Sequence, residues 1–181
     1  MKILTRLILF VLLLAAPVTM VQARDLTDAE KQKLEATVAA FDKAMRSDDY
    51  EAITKTIPPR MIAFFVEQAG IDEATLRGVI IQQTKAALAT VKLESFGMDV
   101  ANLEVKTLSN GEPYALIPTE TVMNSEATGK MVAKADTLAV LDSGNWYLVR
   151  VSEAQQIAIL RKVYPEFASV DFSSSTLEAV E

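Results

Sequence analysis

The chain has 181 residues, no His and no Cys, and its 18 Lys and Arg against 24 Asp and Glu give a net charge of −6. Without imidazole or thiolate there is no Cys–His nucleophile, no Ser–His–Asp triad and no ordinary zinc or copper site, which leaves proton transfer to Asp, Glu, Lys and Tyr. An acidic surface without a basic cluster repels phosphate backbones, so nucleic acid is not an expected partner, and no motif calls for a cofactor or metal.

The first 23 residues have the three parts of a secretory signal peptide: a basic start with Lys2 and Arg6, an apolar run from Leu7 to Ala16, and a small-residue end at Val21-Gln22-Ala23. Cleavage is expected after Ala23. The alternative, an uncleaved anchor, is short: Leu7 to Val21 is interrupted by Pro17 and Thr19 and falls below the roughly 20 residues of a spanning helix. Cleavage leaves 158 of the 181 residues, enough for a single domain, read here as 24–168, with a Ser-rich, loosely ordered tail over 169–181. It also removes two cations and no anions, taking the net charge from −6 to −8. The mature chain is therefore expected to be periplasmic or secreted, without a membrane span. Lacking Cys, it cannot be lipidated at the signal junction and must hold its core by packing, without disulfides.

Thr27-Asp28-Ala29-Glu30 is a capping box, and Leu34, Val38, Phe41 and Met45 form one stripe of a helix that ends near Ser47-Asp48-Asp49. Tyr50, Ile53 and Ile57 make a second, short helical stripe, stopped by Pro58-Pro59. A third helix over Arg60–Ala69 has Pro59 in its first turn and Gly70 at its end. Its adjacent Phe64 and Phe65 are expected to pack one under the first helix and one under the fourth. That fourth helix restarts at Ile71-Asp72-Glu73 and carries Leu76, Ile80, Thr84, Ala87 and Val91.

From Leu93 the apolar period changes to two. Leu103, Val105 and Thr107 alternate with polar residues as a half-buried strand, and Asn110-Gly111 is a two-residue hairpin signal that would set Thr107 opposite Tyr114. The odd, core-facing positions of that strand then match even positions of the next: Tyr114, Leu116, Glu120 and Val122. The connection over 124–129 has no readable register. A third strand runs about Lys130–Leu141, and Asp142-Ser143-Gly144 suits a three-residue bulged loop, which would set Val140 opposite Trp146 and Asp136 opposite Arg150. After the last strand, Ile157, Leu160, Val163 and Tyr164 mark an additional helix before Pro165.

If the 124–129 connection keeps parity, Tyr114, Glu120, Lys134, Asp136, Trp146 and Arg150 share one concave face. They form a candidate anion-binding pocket with Arg150 as the carboxylate or phosphate fork and Trp146 or Tyr114 as an apolar wall. A slip of one residue there sends Lys134, Asp136 and Arg150 to the outer face as solvated charges.

Helices followed by an antiparallel meander with a late aromatic hairpin, "SGNWYLVRV", resemble the nuclear-transport-factor-two-like superfamily of α+β cones. The resemblance implies N-terminal helices packed in the concave side of a curved antiparallel sheet of about four strands, here with an additional C-terminal helix. It also implies a pocket at the open end of the cone. No family catalytic motif aligns residue by residue. Three functions stay open. The first is a noncatalytic module that binds a small molecule or an envelope protein. The second is a homodimer built through an outer sheet face carrying Ala115, Ile117, Thr119, Thr121 and Met123. The third is an isomerase or dehydratase using Glu120 or Asp136 with a Tyr.

Overall fold

A computed structural model describes residues 25–180; the expected signal peptide and its cleavage point lie outside them. The chain is α+β, with helices against a curled antiparallel sheet that forms half a barrel, and a C-terminal helix. The helices are α1 (Asp28–Arg46), α2 (Tyr50–Lys55), α3 (Pro59–Ala69), α4 (Glu73–Ala89) and α5 (Ala154–Val163). The strands are β1 (Lys92–Met98), β2 (Glu104–Thr107), β3 (Pro113–Ser125), β4 (Gly129–Asp142), β5 (Asn145–Arg150) and β6 (Thr176–Ala179).

Local chemistry sets the helix ends. The Thr27 hydroxyl accepts from the Glu30 N–H while the Glu30 carboxylate accepts from the Thr27 N–H, so two otherwise orphaned donors at the start of α1 are satisfied. Asp49 and Asp72 cap α2 and α4 by accepting from the Ala52 and Thr75 N–H groups. Pro59 occupies the first turn of α3, and Gly70 ends it at φ +63, a conformation glycine adopts without a Cβ clash.

The sheet is four positions wide. β3 and β4 are the long central pair; β1 and β2 run end to end along the free edge of β3, and β5 and β6 along that of β4. The 126–128 connection sets Ser125 opposite Gly129 and keeps parity, so Glu120 lies opposite Lys134. The other two hairpins differ from the sequence expectation by one residue each. Leu108 donates to the Glu112 carbonyl at 2.8 Å, which makes Ser109-Asn110-Gly111 a three-residue loop and sets Val105 opposite Ala115 and Lys106 opposite Tyr114. Ser143 and Gly144, at φ 51 and 77, form a two-residue turn that sets Leu141 opposite Trp146 and Thr137 opposite Arg150. The two loop lengths are the reverse of those expected. Asn110 keeps a negative φ because its Oδ1 accepts from the Glu112 N–H at 3.1 Å and fastens a bulged turn, with Gly111 in the left-handed position.

Strand alternation gives each face its own core. Ala115, Ile117, Ala139, Trp146 and Leu148 face α1 on the concave side and pack with Leu34 and Val38. Leu116, Leu138, Val140, Val149 and Tyr114 face the opposite way and pack with Leu160, Tyr164 and Phe167 from α5 and the turn after it. Met61 and Phe65 of α3 join this second cluster, and Phe64 meets Phe65 edge-on at 5.5 Å, so neither ring takes the expected place under α1. At the outer edge the Leu148 N–H donates to the Thr56 carbonyl at 2.9 Å, which blunts the β5 edge. Phe172 packs on the second cluster, and residues 176–179 pair with β4, so the C-terminal segment read as loosely ordered carries a short strand.

Candidate functional site

Only half of the β3–β4 ribbon is sandwiched. Burial is complete from Pro113 to Ile117 and from Leu138 to Val140, then falls off along both strands towards the 126–128 turn. On the concave side of this uncovered half the strands carry small residues, Thr119, Thr121, Ala133, Ala135 and Thr137. Their side chains are too short to fill the space under the neighbouring helices, and close packing cannot be completed there. A cavity of about 310 Å³ remains. Its walls are Phe41 and Met45 from α1, Leu88 of α4 and Val91 just after it, Leu93 and Phe96 from β1, and Met123, and Leu148 and Arg150 of β5 line it as well. Phe41 and Phe96 meet edge-on at 5.6 Å.

The polar groups gather on the sheet side. The Thr119 and Thr137 hydroxyls lie 2.8 Å apart, and Thr119 donates to the Ile117 carbonyl at 3.0 Å. Thr137 therefore supplies the proton between them, and both oxygens keep acceptor capacity. Arg150 stands directly across from Thr137. Its Nε–H donates to Ser152 Oγ at 2.7 Å, and Ser152 in turn donates to Gln156 Oε1 through both its hydroxyl and its N–H, at 3.2 and 3.0 Å. This chain ties the guanidinium stem to the first turns of α5 and commits one of its five donors.

The six residues expected to share a pocket divide between the two faces. Arg150 and Trp146 are on the concave side, but Trp146 is 4% exposed in the α1 core, with its Nε1–H donating to the Glu30 carbonyl at 2.9 Å. Tyr114 is a core residue of the opposite face, its ring 5.3 Å from Phe167. Burial raises its phenol pKa. Glu120 and Lys134 form an ion pair at 3.5 Å on that face, their side chains 55% and 60% exposed. Asp136 projects from the same face, where it and Glu104 add to the field that raises the Lys106 pKa; the hydrogen bond from Lys106 to Glu104 is the main cause.

Glu120, Lys134 and Asp136 border a second hollow, a wide outer trough of about 720 Å³ between Gly97-Met98-Asp99 and the Ser173–Thr176 stretch. Both carboxylates have a cation near them on this face, Lys134 for Glu120 and Lys106 for Asp136. The face expected to join two subunits is also the inner one: Ala115 and Ile117 are fully buried under α1.

The cavity-lining residues missed from the sequence had a signal of their own. Phe41 and Met45 continue the α1 stripe beyond the buried Leu34 and Val38, and opposite them the odd positions of β3 and β4 turn from Ala115-Ile117 to Thr and Ala. A large-residue helix face over a small-residue sheet face leaves space.

Among the described residues no cluster of three or more Asp or Glu is placed to hold a metal ion, and no helix is long and apolar enough to cross a membrane. Fold and site together define an α+β half-barrel protein with an apolar, one-cation cavity between its first helix and its sheet. No protein-family model matches the chain, and comparison with curated proteins and with solved structures finds no match.

Proposed function

We propose that this chain is an exported, noncatalytic binding module of the cell envelope that takes a small apolar or amphipathic molecule into the cavity between α1, α4 and the sheet. The observation that carries this reading is the cavity itself: about 310 Å³, walled by Phe, Met, Leu and Val side chains, with Arg150 and paired threonines at one side. Ligand pockets are built this way, with an apolar lining and a few converging polar groups, in volumes of about 300–1,000 Å³. The three-part N-terminal segment supports export. A helix lying in the concave side of a curled sheet with a hollow at its uncovered end supports a place among the α+β cones.

The test uses N-phenyl-1-naphthylamine, a neutral probe that fluoresces in apolar surroundings. Saturable one-to-one binding to the chain from Arg24 onward, lost in Ala133→Trp with an unchanged circular dichroism spectrum, supports the reading. Absence of saturable binding, or binding indifferent to that substitution, contradicts it. Expression of the full chain in a bacterial host tests export: a periplasmic product beginning at Arg24 is expected, and a cytoplasmic product beginning at Met1 contradicts it.

A further inference from the structure

Resting on that reading of the cavity, we propose that its occupant is an amphipathic monoanion: an apolar body ending in a single carboxylate, with the head on Arg150 and the body against Phe41, Met45 and Phe96. The pairing of the arginines points to the charge. Arg46, Arg60 and Arg77 each meet a carboxylate at 2.8 Å. Arg161 spends a donor on the Val170 carbonyl, away from the cavity. Arg150 lines the apolar cavity, and among the described residues it has no carboxylate partner; its one side-chain hydrogen bond is to Ser152.

Fixing Nε to Ser152 leaves the two terminal nitrogens of a planar fork, the geometry that accepts a carboxylate through two parallel bonds. Thr137 stands opposite as the neighbouring polar group. Arg150 is an exposed residue at the mouth of the cavity, so the pair forms at the boundary between the apolar space and water, where a bidentate geometry lets the head group contribute to affinity as well as orientation.

The single cation limits the head to one charge: Arg150 is the one cation among the described residues that line the cavity. A dianion would place one charge on Arg150 and leave the second without a counter-ion beside apolar side chains, whereas a monoanion is neutralised. A cationic head would meet Arg150 directly.

The experiment compares decanoate, decan-1-ol and decyltrimethylammonium, each below its micellar concentration, by calorimetry on the chain from Arg24 onward and on its Arg150→Met and Arg150→Lys variants. Decanoate is expected to bind at least tenfold more tightly than the alcohol, and the ammonium more weakly than either. Arg150→Met should cut decanoate affinity roughly tenfold to hundredfold, the size of one or two charge-assisted hydrogen bonds, while the alcohol is unaffected. Arg150→Lys should recover part of that loss, and Asp136→Asn should leave the preference in place. Equal binding of decanoate and decanol, or a preference that survives Arg150→Met, overturns the monoanion inference and leaves the cavity standing. Failure of all three probes to bind overturns both.

Discussion

Arg150 faces Thr137 across β4 and β5, whereas Asp136, one residue earlier, faces Pro118 across β3 and β4 and projects from the other side of the sheet. The two charges are neighbours along the sheet but separated by its thickness. A double-mutant cycle on Asp136→Asn and Arg150→Met, read by urea unfolding, should therefore show coupling within about 0.3–0.5 kcal/mol of zero. Coupling of 1 kcal/mol or more would mean that the pair shares a face.

The register of the last hairpin rests on Ser143 and Gly144, both with positive φ. Serine is a poor occupant of the left-handed region, while Asn and Gly accept it. Ser143→Asn should stabilise the protein by a few tenths to about 1 kcal/mol, and Gly144→Ala should destabilise it by about 1 kcal/mol or more. A three-residue loop would reverse the first result, because Ser143 would then sit in the right-handed region.

Tyr164 is buried and donates from its hydroxyl to Asp142 Oδ2 at 2.8 Å, with Arg60 lying 4.0 Å over its ring. Burial first, then the Asp142 hydrogen bond and charge, raises its pKa above the ordinary value of 10.0. The folded protein therefore keeps a proton that the unfolded chain releases. This contribution is fully present below pH 10 and is lost as the pH rises from there towards the folded-state pKa. Stability should fall steeply above roughly pH 10, and Tyr164→Phe, which keeps the ring but lacks the titrating group, should flatten that fall. The fall should not vanish, because Tyr50 and Tyr114 are raised as well. At neutral pH the variant should lose about 1.5–3 kcal/mol, the range for a hydrogen bond to a charged group. An unchanged alkaline slope would contradict the assignment.

β6 covers the β4 edge over Met131–Lys134, and all four of its residues are exposed. Truncation after Ser174 removes it while keeping Val170 and Phe172 on the core. Little stability should be lost, but the freed edge should promote association by strand pairing, seen as a concentration-dependent mass in light scattering. A truncated chain that stays at the full-length mass at every concentration would contradict the edge-covering role.

Most of the fold is legible in the sequence because helices announce their ends: the Thr27–Glu30 box, Asp72 and the Pro59–Gly70 frame all stand where their chemistry predicts. The face assignments are not, and the reason is specific. β5 buries both of its faces, Trp146 and Leu148 under α1 and Val149 against α5, so apolar alternation cannot choose its parity. The turn alone decides it, and a left-handed Ser143 is a poor advertisement for a two-residue loop. In the first hairpin the Asn110 side chain competes for the backbone and lengthens a loop whose Asn-Gly pair suggests a shorter one. Each one-residue change carries side chains to the opposite face. Tyr114, Glu120, Lys134 and Asp136 share a face because the 126–128 turn keeps parity, but it is the face away from α1 and not the concave one expected.

The most direct test of a ligand in the concave cavity is a methyl NMR titration of methionine-labelled chain with decanoate. Met45 and Met123 line the cavity, whereas Met61 belongs to the core on the opposite face. The account predicts saturating shifts of the Met45 and Met123 methyls at one equivalent of bound decanoate, with Met61 unmoved. Met45 and Met123 methyls that stay unchanged while decanoate binds would contradict it.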